Sequence, residues 1–115
     1  VCASPDYYLA RNVDRIPLSA KLFAHDSHCM VNLKSKTMAV VERDTGRRIV
    51  VDIADFPYTL IWSTPQEPMR FICIEPWHSI PSEDDGPIEW AQKPCAASLA
   101  PNEMWQTTLN MTFER

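Results

Sequence analysis

The stretch FICIEPWH, residues 71–78, places a carboxylate and an indole ring directly after an apolar run. If this run is a strand, Glu75 follows two apolar side chains on the same face. Such surroundings favour the protonated form of a carboxyl group and suit a residue that takes and returns a proton in general acid–base catalysis. Trp77 adds a flat apolar surface on which the C–H face of a sugar can pack. The alternative is a strand end where Glu75 meets water or Arg70 and Trp77 lies in the core.

Other side chains that could bind a metal ion or act as a nucleophile form weaker patterns. In HDSHC, residues 25–29, His25 and His28 would point to opposite sides of a strand, and no second cluster completes a tetrahedral metal site. The acidic run 83–85 could bind a cation, although adjacent carboxylates beside glycine and proline are more typical of a solvated turn. Cys73 has apolar neighbours, which favours a packed thiol over a nucleophile. We therefore predict no metal site and no cofactor.

Strands must position these residues. Ten prolines, two glycines and frequent β-branched or aromatic runs favour strands separated by loops. The segment 44–46 has the composition of a hairpin turn, and residues 32–35 are predicted to turn between two further strands. Pro76 lacks an N–H and is predicted to end the Glu75 strand at the rim of a sheet. The predicted strands are 29–33, 37–43, 47–53, 58–63, 69–75 (buried on both faces) and 105–113, after an irregular lead-in at 1–18.

The predicted fold is all-β, an antiparallel β-sandwich. A chain of 115 residues can form one domain with a hydrophobic core. Residues 1–115 are therefore either a single domain or part of one, and valine in the first position indicates a processed product or a piece of a longer protein. The only helical turns that the pattern suggests lie near 5–11 or 19–23.

Charge and hydropathy argue against two classes of partner. The chain has 11 basic and 15 acidic residues, a net charge of −4, and no basic cluster that would bind a phosphate backbone, so we expect no nucleic acid partner. No apolar run approaches the roughly 20 residues that cross a bilayer, so we expect no membrane partner. The irregular spacing of Cys2, Cys29, Cys73 and Cys95 favours reduced thiols and a cytoplasmic location over a disulfide framework.

Several short motifs occur in a characteristic order. CIEPW (73–77) and the LAPNE turn (99–103) before the last strand are the most specific pair. The others are IPL (16–18), LFAHD (22–26), NLKS (32–35), FPY (56–58) and LIWSTP (60–65). From about residue 12 onward, the chain resembles the C-terminal part of aldose 1-epimerases, the galactose mutarotases, and most closely their bacterial mutarotase-like branch.

The resemblance implies part of a β-supersandwich, a stack of antiparallel sheets that interconverts the α and β anomers of a free hexose. In that family, the glutamate matching Glu75 is the general base at the anomeric hydroxyl, while a histidine protonates the ring oxygen. Asp26 is the best counterpart of an aspartate that binds sugar hydroxyls, and Trp77 is placed in the same cleft. The implied partner is a monosaccharide substrate.

The chain also departs from the family pattern. Family members are well over twice as long, and their acid histidine lies in an N-terminal half with no counterpart here; none of His25, His28 or His78 matches it. We therefore expect incomplete activity from this chain alone, and a second chain or the missing half covering open strand edges. The alternative function is a noncatalytic β-sandwich that binds carbohydrate or another protein.

Overall fold

A computed structural model describes residues 7–81 and 89–115, so Cys2 and the acidic run 83–85 lie outside the described residues. No helix in the described ranges is long and apolar enough to cross a membrane. The elements, in chain order, are a 3-10 turn Ala20–Phe23, β1 His28–Val31, β2 Thr37–Val41, β3 Arg48–Asp52, β4 Tyr58–Trp62, β5 Cys73–Trp77, a second 3-10 turn Trp90–Gln92 and β6 Met111–Glu114.

The strands form two antiparallel three-stranded sheets with the orders β1-β4-β5 and β2-β3-β6. This confirms the all-β prediction and is consistent with an all-β sandwich. The segment 32–35 does not join two paired strands, because β1 pairs with β4 while β2 pairs with β3. It carries the chain from one sheet to the other.

The predicted turn at 44–46 connects β2 and β3. Gly46 adopts a φ of 73° and donates its N–H to the Glu42 carbonyl at 2.9 Å. The Arg47 guanidinium contacts the Glu42 carboxylate at 2.8 Å, and the Thr45 hydroxyl also donates to that carboxylate. These hydrogen bonds, that of Arg47 first, lower the pKa of Glu42. A positive φ is the conformation that glycine adopts without a steric cost, so the turn follows directly from the sequence.

The strand that carries Glu75 differs from its prediction. It runs from Cys73 to Trp77 rather than over residues 69–75, and it includes Pro76 opposite Thr59. It is an edge strand with all five residues half-buried, not a strand buried on both faces. A proline can remain in a strand when that strand lies at a sheet edge, where no ladder hydrogen bond is lost on the outer side. Glu75 is therefore at the middle of β5.

The last strand is also shorter than predicted. The alternation over 105–113 predicts one long strand, whereas β6 comprises only Met111–Glu114. These four residues are the ones that lie opposite β3, from Val51↔Met111 to Arg48↔Glu114. Alternation alone does not make a strand where continuous pairing stops, and before β6 one further bond joins the Asp52 N–H to the Asn110 carbonyl at 3.0 Å.

The core formed by the described residues is small. Its apolar members are Ala20, Phe23, Val51, Ile53, Leu60 and Ile61. Ser63 is 0% exposed and donates its hydroxyl to the Phe71 carbonyl at 2.7 Å, which links the end of β4 to the segment before β5. The Cα radius of gyration is 16.3 Å, whereas a compact domain of this length has about 13 Å.

One face of the β2-β3-β6 sheet consists entirely of apolar side chains. Paired residues share a face, so two rows cross the sheet there, and the resulting apolar face comprises Met38, Val51, Met111, Val40, Ile49 and Phe113. Val51 is buried, but Ile49 is 41%, Met111 54% and Phe113 73% exposed. The other face includes the Arg48–Glu114 ion pair. The sheet is amphipathic, and its apolar side is not fully covered by the described residues.

Candidate functional site

Glu75 lies on a sheet face made by three strands. Its row runs across β5, β4 and β1 as Glu75, Leu60 and Cys29, and the next row begins with Trp77 and Tyr58. Alternate residues of a strand and paired residues of neighbouring strands point to the same side. The Glu75 face therefore comprises Cys29, Val31, Tyr58, Leu60, Trp62, Cys73, Glu75 and Trp77.

Glu75 is the one charged residue of this face, and it is half-buried. Leu60, directly opposite, is 5% exposed, so one side of the carboxylate has an apolar neighbour. The ion pairs among the described residues are Glu42–Arg47 and Glu114–Arg48, and a Glu75–Arg70 pair is not among them. Within the described chain, the carboxylate is therefore not engaged in a structural ion pair.

Tyr58 is the hydroxyl-bearing aromatic of the Glu75 face. It is the register partner of Trp77 and lies diagonally across from Glu75, a separation of roughly 7–8 Å between Cα atoms. The Cys95 thiol donates to its hydroxyl oxygen at 4.0 Å. Burial raises the pKa of Tyr58, and Cys95 raises it further once its thiol is ionised. The phenol therefore remains protonated at neutral pH and can donate a hydrogen bond.

Asp26 does not lie beside Glu75. It occupies the loop before β1, with a φ of 91°, and its carboxylate accepts the Ser27 N–H at 2.7 Å. β1 and β5 lie on opposite sides of β4. Two strand spacings across the sheet and three residues along it put the Cα atoms of Asp26 and Glu75 on the order of 14 Å apart. A sugar contact by Asp26 stays a prediction, whereas Glu75 and Trp77 share one face.

The described histidines lie away from the Glu75 face. His28 is on the reverse side of the β1-β4-β5 sheet, where its Nε2 lies 2.6 Å from the carbonyl oxygen of residue 22 in the first 3-10 turn. His78 packs against Phe56 and Trp105 with ring centroids 4.7 Å and 4.9 Å away. His25 is exposed in the loop before β1. In residues 7–81 and 89–115, no histidine belongs to the Glu75 face.

In the part of the chain that the structure describes, neither a metal site nor a cavity adds to the Glu75 face. Among the described residues, no group of three or more His, Cys, Asp or Glu side chains is arranged to hold a metal ion. Cys29, Cys73 and Cys95 are free thiols, and burial raises the pKa of Cys29. An open cavity of about 330 Å³, lined in part by Met30 and Thr59, lies on the reverse side of the sheet from Glu75.

The sequence did not predict that Tyr58, Cys29 and Cys95 belong to the candidate site. The alternation of Tyr58, Leu60 and Trp62 indicates a shared face, but only the strand register shows that this face is the one that carries Glu75. Cys95 lies in a loop, and its contact with Tyr58 joins residues 37 positions apart. No periodic pattern predicts a contact of that kind.

Comparisons with known proteins find distant relatives. The chain is 29% identical over 103 residues to "Protein LacX, plasmid" and to "Protein LacX, chromosomal", both from Lactococcus lactis subsp. lactis. The match covers 89% of this chain and 34% of each relative, so the chain spans about a third of the length of the curated relatives it matches. No family model matches the sequence. No solved structure matches it either.

Proposed function

We propose that this chain is the C-terminal part of an aldose 1-epimerase-like protein that interconverts the α and β anomers of a free hexose. The carrying observation is that Glu75, the one carboxylate of its sheet face, has Trp77 beside it and no ion-pair partner among the described residues. The distant similarity to the LacX proteins fits a carbohydrate-related function. The free thiols support a reducing, cytoplasmic setting as part of the proposal.

In this mechanism, Glu75 removes the proton from the anomeric hydroxyl as the ring C–O bond breaks and the ring oxygen receives a proton. The C1–C2 bond of the open-chain aldehyde rotates, and the ring closes on the other face as the ring oxygen gives its proton back to the acid and Glu75 returns its proton to the new anomeric oxygen. Trp77 supplies an apolar surface for the C–H face of the sugar. Asp26 is the proposed sugar-hydroxyl ligand carried over from the resemblance, and the acid at the ring oxygen is proposed to lie outside this chain.

A noncatalytic carbohydrate-binding sandwich is the second candidate. The observation in its favour is that no described histidine lies on the Glu75 face. General acid–base catalysis of ring opening needs proton transfer at two oxygens of one substrate. A chain with only the base would bind a sugar against Trp77 without turning it over.

The apolar face of the β2-β3-β6 sheet is proposed to be covered by further polypeptide. This is either a second chain or a segment of the full protein that corresponds to the unmatched part of the relatives. That part amounts to about two thirds of each relative's length. Exposed, contiguous apolar patches of this kind mark interaction surfaces in soluble proteins. Phe113, at 73% exposure, would be the most affected side chain.

The decisive experiment measures anomer exchange of glucose and galactose by polarimetry and NMR. It uses the full protein, meaning this chain together with any coding sequence that adjoins it, and subtracts the spontaneous rate in buffer. Glu75→Gln is expected to lower the enzymatic rate by about 100- to 10,000-fold, since the substitution keeps the shape of the side chain and removes the base. Glu89→Gln, at an exposed glutamate beside the second 3-10 turn, is the matched control and should leave the rate unchanged.

Two results would count against the enzymatic proposal. One is a full protein that exchanges anomers no faster than buffer; the other is a Glu75→Gln variant with an unchanged rate. Sugar-dependent NMR shifts at the Trp77 indole without any exchange would instead support the binding module.

A further inference from the structure

The Tyr58 hydroxyl has a geometry suited to a ligand. Tyr58 and Trp77 are register partners on the Glu75 face, so an aromatic surface and a hydroxyl stand side by side. Cα atoms of paired residues are separated by about 4.5–5.5 Å, which is close to the width of a pyranose ring. A sugar whose C–H face lies on Trp77 therefore has its rim hydroxyls within reach of Tyr58 and Glu75.

The Tyr58 proton is available for such a contact. In the contact with Cys95, the thiol donates and the phenol oxygen accepts, at a sulfur–oxygen distance of 4.0 Å. Thiols are weak donors, and a phenol can accept and donate at the same time. The hydroxyl proton of Tyr58 is therefore not used in that contact.

A turn forms a wall beside Tyr58. Residues 93–96 are closed by a hydrogen bond from the Ala96 N–H to the Lys93 carbonyl at 3.1 Å. The turn is tied to the segment after β5 by the Ser79 hydroxyl, which donates to the Pro94 carbonyl at 2.9 Å. Cys95 is thus held at the Trp77 end of the Glu75 face, where a bound sugar would cover its thiol.

We infer that Tyr58 is a sugar-positioning residue: its hydroxyl donates a hydrogen bond to a hydroxyl of a pyranose stacked on Trp77, with the Cys95 turn as the adjoining wall. This inference rests on the proposed carbohydrate site, and it adds a residue that neither the motifs nor the resemblance assigns. Tyr58 orients the sugar so that the anomeric hydroxyl meets Glu75, and it exchanges no proton with the reacting atoms.

The test compares Tyr58→Phe with Tyr8→Phe in the full protein. Tyr8 is an exposed tyrosine whose ring contacts the Arg11 guanidinium in the lead-in, so its hydroxyl is a matched control. Sugar affinity is measured by NMR titration, and kcat and KM are measured by anomer exchange. Loss of one neutral hydrogen bond should weaken affinity by about 2- to 12-fold for Tyr58→Phe and leave Tyr8→Phe unchanged.

A series of mono-deoxy sugars separates a positioning role from a structural one. One deoxy sugar, lacking the hydroxyl that Tyr58 contacts, should bind wild type more weakly than the parent sugar but bind Tyr58→Phe as well as the parent does. Uniform weakening across the series in both proteins would overturn the inference. So would unchanged affinity of Tyr58→Phe for the parent sugar in a protein whose wild type exchanges anomers, and that result would leave the proposed function standing.

Alkylation gives a second measurement that needs no substitution. N-ethylmaleimide is added to the full protein with and without saturating sugar, and the modified cysteines are identified by peptide mass spectrometry. Sugar should slow the modification of Cys95. An unchanged Cys95 rate, in a protein that demonstrably binds sugar, would place the ligand away from Tyr58 and overturn the inference. A wild-type protein that neither binds nor exchanges sugars removes both this inference and the proposed function.

Discussion

Replacing Ser63 by alanine tests how β4 and β5 are held in the register that presents Glu75. Ser63 is 0% exposed, and its hydroxyl donates to the Phe71 carbonyl at 2.7 Å, two residues before β5 begins. A neutral hydrogen bond of this kind contributes about 0.5–1.5 kcal/mol to stability. Phe71 as a residue is 44% exposed, so we expect water to replace the lost donor at its carbonyl. The larger penalty of a buried, unsatisfied acceptor therefore does not apply, and we expect a loss of about 1 kcal/mol.

The assay is urea unfolding of the full protein. For a denaturant slope of about 2 kcal/mol/M, the expected loss lowers the unfolding midpoint by about 0.5 M. Ser35→Ala is the control, because Ser35 is exposed in the segment that crosses between the sheets and should stay within about 0.5 kcal/mol of wild type. An unfolding midpoint equal to that of wild type would show that the Ser63 hydroxyl does not stabilise the pairing of β4 with β5. A loss above about 3 kcal/mol would show that the Phe71 carbonyl is shielded from water, contrary to the reasoning.

The remaining predictions concern pH and the apolar face. Burial raises the pKa values of Cys29 and Tyr58 above their ordinary values of 9.0 and 10.0. The folded state therefore holds these protons more tightly than the unfolded state, and the free energy of unfolding should fall as pH rises above about 9; the double variant Cys29→Ser/Tyr58→Phe should flatten that alkaline decline in a urea titration series. Phe113→Ala should destabilise the full protein by about 3 kcal/mol or more if polypeptide covers the apolar face. Thr112→Ala, on the opposite face, is its control, and an equally small effect of about 0.5 kcal/mol for both would show that Phe113 faces water.

Much of the fold could be predicted from local patterns. β2, β3 and β4 lie within the predicted segments, and the glycine at 46 marks the hairpin between the first two. The predicted strand bounds are wrong where pairing with another strand, rather than local sequence, determines where a strand begins or ends. The alternation at 105–110 is as regular as that at 111–113, yet only the second stretch lies opposite β3. Most residues of 69–75 are apolar, so composition does not show where the strand begins. Pro76 wrongly indicated that the strand ends at Glu75.

The candidate site was predictable only in part, for a related reason. Period two along β5 is enough to put Glu75 and Trp77 on the same face. Tyr58 and Cys29 join them through the registers of two other strand pairs, which depend on tertiary packing rather than on local sequence. Asp26 was assigned by resemblance, and the loop that carries it lies beyond the opposite end of the sheet from Trp77.

Pro76 has a consequence for how this chain can associate with others. An exposed sheet edge is a template on which a strand from another molecule can add, and such addition uses the outward N–H groups of the edge strand. β5 is an edge strand of its sheet, and at position 76 it offers no such donor. Intermolecular sheet extension along β5 would therefore lack a hydrogen bond one residue from Glu75. The missing donor disfavours pairing of a second chain along the strand that carries Glu75.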